Sequence, residues 1–299
     1  MWLSLSLVSA AMLGFYDVAK KHSLKDNAVL PVLLLNTIFS TCIFLPSLLD
    51  STFELGWFTN TILESGAYGI EEHLRVIVKA IIVLSSWISG YFAIKHLPLS
   101  IVAPMNAIRP VLVLLGALTV FGERLNPYQW IGVILSFVSV FLLSLTSKKE
   151  GVDFKTNKWA FMLGLAVVLG AVSGLYDKYI MKDINPVFVQ SWFNLYQMLM
   201  MGVIVIFLWY PKRKNTTPFV FKWSILLISV FICIADFAYF RALSDGTAMI
   251  SIISTIRRGS VIISFACAAV LFHEKHLKRK AFDLILILIG MAFLWWGSK

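Results

Sequence analysis

The chain alternates between long apolar stretches and short polar interruptions, and the stretches have the length of membrane spans. Ten can be drawn: Trp2–Ala19, Ala28–Leu49, Val76–His96, Pro98–Phe121, Pro127–Thr146, Trp159–Tyr176, Pro186–Tyr210, Trp223–Leu243, Gly246–Phe272 and Ala281–Gly297. A hydrocarbon layer about 30 Å thick needs roughly 20 residues of helix to cross it. Backbone groups cannot go unpaired in lipid, so each stretch is expected to be a helix. Continuous runs such as Ile131–Leu145 and Leu284–Trp296 exclude the alternating segments of a membrane β-barrel. The predicted fold class is therefore an all-α integral membrane protein. Most connections are short. Asp50–Arg75 is longer and carries Glu54, Glu64, Glu71 and Glu72; it is expected on the membrane surface, with room for one short amphipathic helix.

The pattern repeats. "GFYD" at Gly14–Asp17 returns as "GLYD" at Gly174–Asp177, and "FGER" at Phe121–Arg124 returns as "FHEK" at Phe272–Lys275. The most polar stretch near the centre, "KKEGVDFKTNK" at Lys148–Lys158, falls between the two copies. The expected organisation is a first five-span repeat over 1–147, a polar linker over 148–158 and a second five-span repeat over 159–299. Five is odd, so the second copy must insert upside down relative to the first. Inverted repeats of this kind, with a binding site near the midplane, are a secondary-transporter architecture.

Composition agrees with the pattern. The 299 residues are 59% hydrophobic and 14% charged, with a mean hydropathy of +0.83; soluble domains are about 25% charged. The formal charge of +10 sits mostly in short loops, which is the membrane-topology pattern and not a nucleic-acid surface. The loops after spans 1, 3, 5, 7 and 9 hold the lysine and arginine clusters, so the charge bias places both termini outside the cytoplasm of a multi-pass cell-membrane protein. The apolar Met1–Met12 reads as the start of span 1 and not as a signal peptide. Cys42, Cys233 and Cys267 lie in apolar runs without metal-type spacing and are expected to be small buried residues.

The turn and span "FGERLNPYQWIGVILSFVSVFLL", echoed by "FHEKHLKRKAFDLILILIGMAFL", resembles the drug/metabolite transporter superfamily of the EamA type, and the resemblance covers the whole chain. It implies two inverted repeats around a central cavity and alternating access to a small metabolite. Many members are taken to have cytoplasmic termini; the charge pattern here points the other way.

Ionisable residues inside spans are expensive, and arginine at a span centre costs roughly 2.5–3.5 kcal/mol on insertion scales. "STIRRGSV" places Arg257 and Arg258 near the middle of span 9. Helical spacing puts Arg258 on one face with Ser254 and Arg257 nearer Ser260 and Ser264. Asp236 in span 8 is the acid available to one of them. In span 4, "APMNAIRPV" sets Asn106 and Arg109 on one face between Pro104 and Pro110, where the helix must bend or lose backbone bonds. A guanidinium fork fits carboxylate or phosphate. The candidate solute-binding residues are Arg109, Arg257, Arg258, Asn106 and Ser254; the candidate ion-pair or coupling residues are Asp236, Asp17 and Lys20. Asp17 and Lys20, three apart in span 1, read either as a membrane-edge salt bridge or as a gate at the cavity mouth, and Tyr176, Asp177 and Lys178 repeat that arrangement in span 6. Glu123 and Glu274 read as helix-end residues, and Trp87, Tyr91, Trp192, Asn194 and Tyr196 as cavity candidates.

No phosphate-binding loop, nucleotide-binding glycine run or zinc-type histidine pair is present, since "HEKH" has the wrong spacing. The expectation is a secondary-active transporter of a small, anionic metabolite, with no enzymatic activity, cofactor, metal or nucleic-acid partner. Its partners are the solute and the bilayer; oligomeric state is not encoded in these features. The alternatives are a lipid-headgroup flippase and a non-transporting scaffold.

Overall fold

A computed structural model describes residues 2–53, 55–121, 126–148, 156–244, 253, 256–271 and 277–297. It is an all-α membrane protein. Eleven α-helices are described: α1 (Trp2–Leu24), α2 (Val29–Phe53), α3 (Ile70–His96), α4 (Leu99–Ala107), α5 (Arg109–Phe121), α6 (Pro127–Lys148), α7 (Lys158–Ile180), α8 (Pro186–Ile204), α9 (Ser224–Leu243), α10 (Ser260–Leu271) and α11 (Leu277–Gly297). Among the described residues, seven helical segments are long and apolar enough to cross a membrane, α4 and α5 together counting as one. The expected spans 5, 9 and 10 correspond to α6, to residues 256–271 and to α11.

Local chemistry sets the helix ends. Asn157 caps α7 by accepting from Trp159 N and Ala160 N, and Asn185 caps α8 by accepting from Val187 N, with Pro186 in the first turn where its missing N–H is harmless. Helix α1 runs five residues past the expected boundary, to Leu24. Helix α2 continues to Phe53, and residues 55–69 form turns where a short amphipathic helix was expected. Asp50 ties that segment down by accepting from Trp57 N at 2.7 Å. Span 4 is two helices because Pro110 cannot donate to the Asn106 carbonyl; the chain tightens there, with Ile108 N bonded to Met105 O and Val111 N to Ile108 O. The same tightening recurs in span 9, where Gly259 N bonds to Ile256 O and Ile262 N to Gly259 O. Both breaks lie at one repeat offset, 151 residues, which is also the offset from Phe121 to Phe272.

Packing follows the same symmetry. Helix α1 lies against α9 and α3 against α7; α2 packs on α8 and α6 on α11; α1 meets α10 as α7 meets α5. On one face of the molecule, Ser23 at the end of α1 bonds Ser224 at the start of α9, and Lys21 donates to the Ile94 and Leu97 carbonyls at the end of α3. Trp159, at the start of α7, stacks on His96 at 3.7 Å on that same face. Helices α1 and α7, the first spans of the two halves, thus run in opposite directions. The opposite face gathers Tyr68, Arg75, Tyr176 and Asn185. Lys21, Lys25, Lys95 and Lys222 lie on the first face, and Asp183 pairs with Arg75 on the second.

Candidate functional site

Close helix packing in lipid depends on small residues at the contacts, and here it leaves a polar cavity between the two halves. The cavity holds about 150 Å³, the size of an engineered cavity that admits one benzene. Helices α1, α3, α4, α5, α7, α8 and α9 and residues 257–260 line it; α2, α6 and α11 do not. Asp17, Lys20, Asn106, Arg109, Asp236, Arg257 and Arg258 all lie on its wall. Ser254, Glu123 and Glu274 lie outside the described residues.

Among the described residues, the wall carries five cations and three acids, and the acids are taken. Arg257 Nη2 bonds Asp236 Oδ1, while its Nε donates to Ser9 Oγ at 3.1 Å and its guanidinium lies over the Tyr239 ring at 3.9 Å. Ser9 in turn donates to the Ala235 carbonyl at 2.7 Å, so α1 and α9 hold Arg257 jointly. Lys20 Nζ bonds Asp17 Oδ1 at 2.8 Å and sits 4.2 Å from the Tyr16 ring centre. Ser264 donates to the other Asp17 oxygen at 3.4 Å. The pair that the spacing allowed is formed; it is nearly buried, seven residues of α1 lie beyond Asp17, and it lines the cavity.

The third pair was not foreseen. Lys79 Nζ bonds Asp177 Oδ1, with the two side chains only 2% and 7% exposed. Phe193 and Phe240 rings flank the ammonium at 5.0 and 4.7 Å. Asp177 was expected to repeat the Asp17–Lys20 arrangement with Lys178; its partner is instead across the helix interface on α3. Lys79 is visible in the sequence as the one charge inside "VIVKAIIV", three residues into the expected span, where a lysine also reads as snorkelling to the interface.

Arg109 and Arg258 are left. Among the described residues neither has an acid partner within ion-pair distance. Arg109 Nη2 reaches the Ala166 carbonyl only at 3.5 Å, its Nε is buried without a partner, and so is Asn106 Oδ1. Gly170 makes room for Arg109: a Cβ there would lie 2.6 Å from the guanidinium carbon. Arg109 and Arg258 come from the two halves, each beside the break in its span, so the two breaks present their cations to one space. Broken helices at a central cavity are how irregular backbone is tolerated at membrane depth.

Other sequence readings separate here. Trp87 and Tyr91 line the cavity; Trp192, Asn194 and Tyr196 do not, and Trp192 and Tyr196 pack around His73 with His73 Nδ1 2.8 Å from the Tyr196 hydroxyl. Cys233 is buried as expected, whereas Cys42 is exposed on α2 and Cys267 is half-buried. Among the described residues no three His, Cys, Asp or Glu side chains come together as a metal site.

A family model described as the EamA-like transporter family matches residues 1–145 and 157–296. The chain belongs to the EamA-like transporter family. A relative named only as an uncharacterized transporter, from Archaeoglobus fulgidus, is 26% identical over 146 residues, which is 48% of this chain. The match spans about half of that relative's length, 49%. A solved crystal structure overlays with a TM-score of 0.65 at 16% identity, covering 97% of this chain and 96% of that one, and supports the fold alone. EamA-like membership makes this a transporter-family membrane protein, matched in two segments.

Proposed function

We propose that this chain is a secondary-active carrier of a small metabolite bearing carboxylate or phosphate, moved by alternating access between two halves, 1–147 and 159–299, joined by 148–158. One observation carries the reading. Among the described residues, the cavity holds two guanidinium groups, Arg109 and Arg258, beyond those its acids neutralise. A buried charge without a partner is unfavourable, and an anion relieves both. A planar fork binds carboxylate or phosphate through paired hydrogen bonds. Asn106 Oδ1, buried and unpartnered, accepts from a hydroxyl donor on the solute. Asp236 and Ser9 hold Arg257 in place at the cavity edge.

The ion pairs suit alternating access. Asp17 and Lys20 lie toward the lysine-rich face, Lys79 and Asp177 toward the other, and each pair lies between the cavity and one side. Opening one side means parting α3 from α7, which Lys79–Asp177 ties; opening the other means parting α1 from α10, which Ser264 joins by donating to Asp17. The charge bias orients the lysine-rich face to the cytoplasm of a cell membrane, with both termini outside. A protease-cleavable tag at the C-terminus that resists protease added outside intact cells overturns that orientation.

The transport reading is tested by uptake into proteoliposomes of a panel containing succinate, methyl phosphate, an amino acid and a neutral sugar. Uptake of the anions by wild type, lost in Arg109→Gln and Arg258→Gln with the protein still folded, is the expected result. Uptake of the neutral sugar alone, or unchanged anion uptake in both variants, overturns it.

A further inference from the structure

We infer that the transported solute carries two negative charges, a dicarboxylate or a phosphate monoester, and that it bridges the two halves through Arg109 and Arg258. The inference rests on the anion reading above and adds the charge number to it.

The count comes from the cavity wall. Lys20, Lys79 and Arg257 each hold an acid, Asp17, Asp177 and Asp236 respectively. Each pair satisfies itself, so a solute gains little by competing for its cation, and a solute ammonium finds no free carboxylate among the described residues. Arg109 and Arg258 remain. A singly charged anion satisfies one guanidinium and leaves the other desolvated, and unpaired charge in such a place is the unfavourable state. Two charges satisfy both. Position matters as much as number. Arg109 follows the break at Ile108 in span 4, and Arg258 precedes the break at Gly259 in span 9. The two spans belong to opposite halves, so one solute held by both ties the halves together at their tightened turns. The cavity of about 150 Å³ sets the size: a compact dianion fits, with Trp87, Tyr91 and Tyr239 as walls.

The experiment uses the full chain purified in detergent and reads the thermal unfolding midpoint as each probe is titrated at pH 8. The probes are two pairs that differ by one charge: succinate against monomethyl succinate, and methyl phosphate against dimethyl phosphate. A phosphate monoester has its second pKa near 6 and is doubly charged at this pH. The dianion of each pair is expected to bind about tenfold tighter or more, because its attraction to two cations grows with charge. Arg109→Gln and Arg258→Gln are each expected to bring that ratio to about one while the monoanion still binds. Equal affinity within both pairs for the wild type overturns the dianion inference and leaves the anion reading standing. A ratio unchanged in both variants also overturns it, since the preference then arises elsewhere. No midpoint shift with any of the four probes, in folded protein, overturns the anion reading itself.

Discussion

Replacing Gly170 by alanine adds one carbon whose three nearest neighbours are all atoms of the Arg109 guanidinium. A Cβ at Gly170 would lie 2.6 Å from Arg109 Cζ and 2.8 Å from its Nε and Nη1. Comfortable carbon contacts need about 3.5–4.0 Å, so the guanidinium must retreat by about 1 Å. The retreating atoms are the far end of a flexible side chain, so α7 and α5 stay where they are. A displacement of about 1 Å in a positioned group costs up to 10²-fold where geometry is tight; for anion affinity we expect a loss between about tenfold and a hundredfold. Stability should move the other way, because alanine is favoured over glycine inside a helix by about 0.5–1 kcal/mol. The assay is a thermal-unfolding titration with succinate, read first without ligand. A midpoint equal to or above wild type together with weakened binding is the expected pairing. Unchanged affinity would show that Arg109 does not hold the solute. Affinity and stability falling together would show that Gly170 is needed for packing and not for housing an arginine.

Gly14 should behave in the opposite way: its added Cβ meets Ile263 Cβ at 2.6 Å and Ser260 O at 3.1 Å, next to a main chain that cannot swing aside. Gly14→Ala is expected to destabilise by about 1–3 kcal/mol, whereas Gly174→Ala, whose nearest atom is Val113 Cγ2 at 3.5 Å, is tolerated; equal unfolding midpoints for the two variants contradict this. Arg257→Gln leaves Asp236 buried without its cation and should cost about 3–5 kcal/mol, most of it returned by adding Asp236→Asn; a single variant as stable as wild type shows the pair to be dispensable. The Lys79–Asp177 pair should follow the same cycle, with Lys79→Met destabilising and Lys79→Met/Asp177→Asn recovering, measured as a coupling between the two changes.

Hydropathy made the spans legible because lipid forbids unpaired backbone, and the duplicated "GFYD" and "FGER" words made the repeat legible. The cations of spans 4 and 9 stood out as charges in apolar surroundings, and Asp236 was recognisable as the one acid deep in span 8. Four features were not readable this way. Lys79 sits near a span end, where a lysine is ordinary. Asp177 looked local because Lys178 follows it, but adjacent residues on a helix point apart, and the true partner comes from α3. Gly170 matters through the space it leaves, and a missing side chain gives no pattern until the neighbouring helix is placed. The broken span 4 was foreseen from Pro104 and Pro110; its counterpart at Gly259 was not, since glycine within a span has no fixed consequence.

On the proposed carrier reading, the unmatched guanidinium groups of Arg109 and Arg258 also make the solute-free protein an electrical object. Among the described residues, the charges lining the space between the halves sum to two positive charges in excess. Each charge carried through a membrane potential of 100 mV is worth about 2.3 kcal/mol. Voltage should therefore bias which side the empty carrier faces, and a bound dianion should cancel that bias. Transient currents recorded without solute, and silenced when it is added, read that charge directly; the absence of such currents would mean the potential falls elsewhere in the molecule.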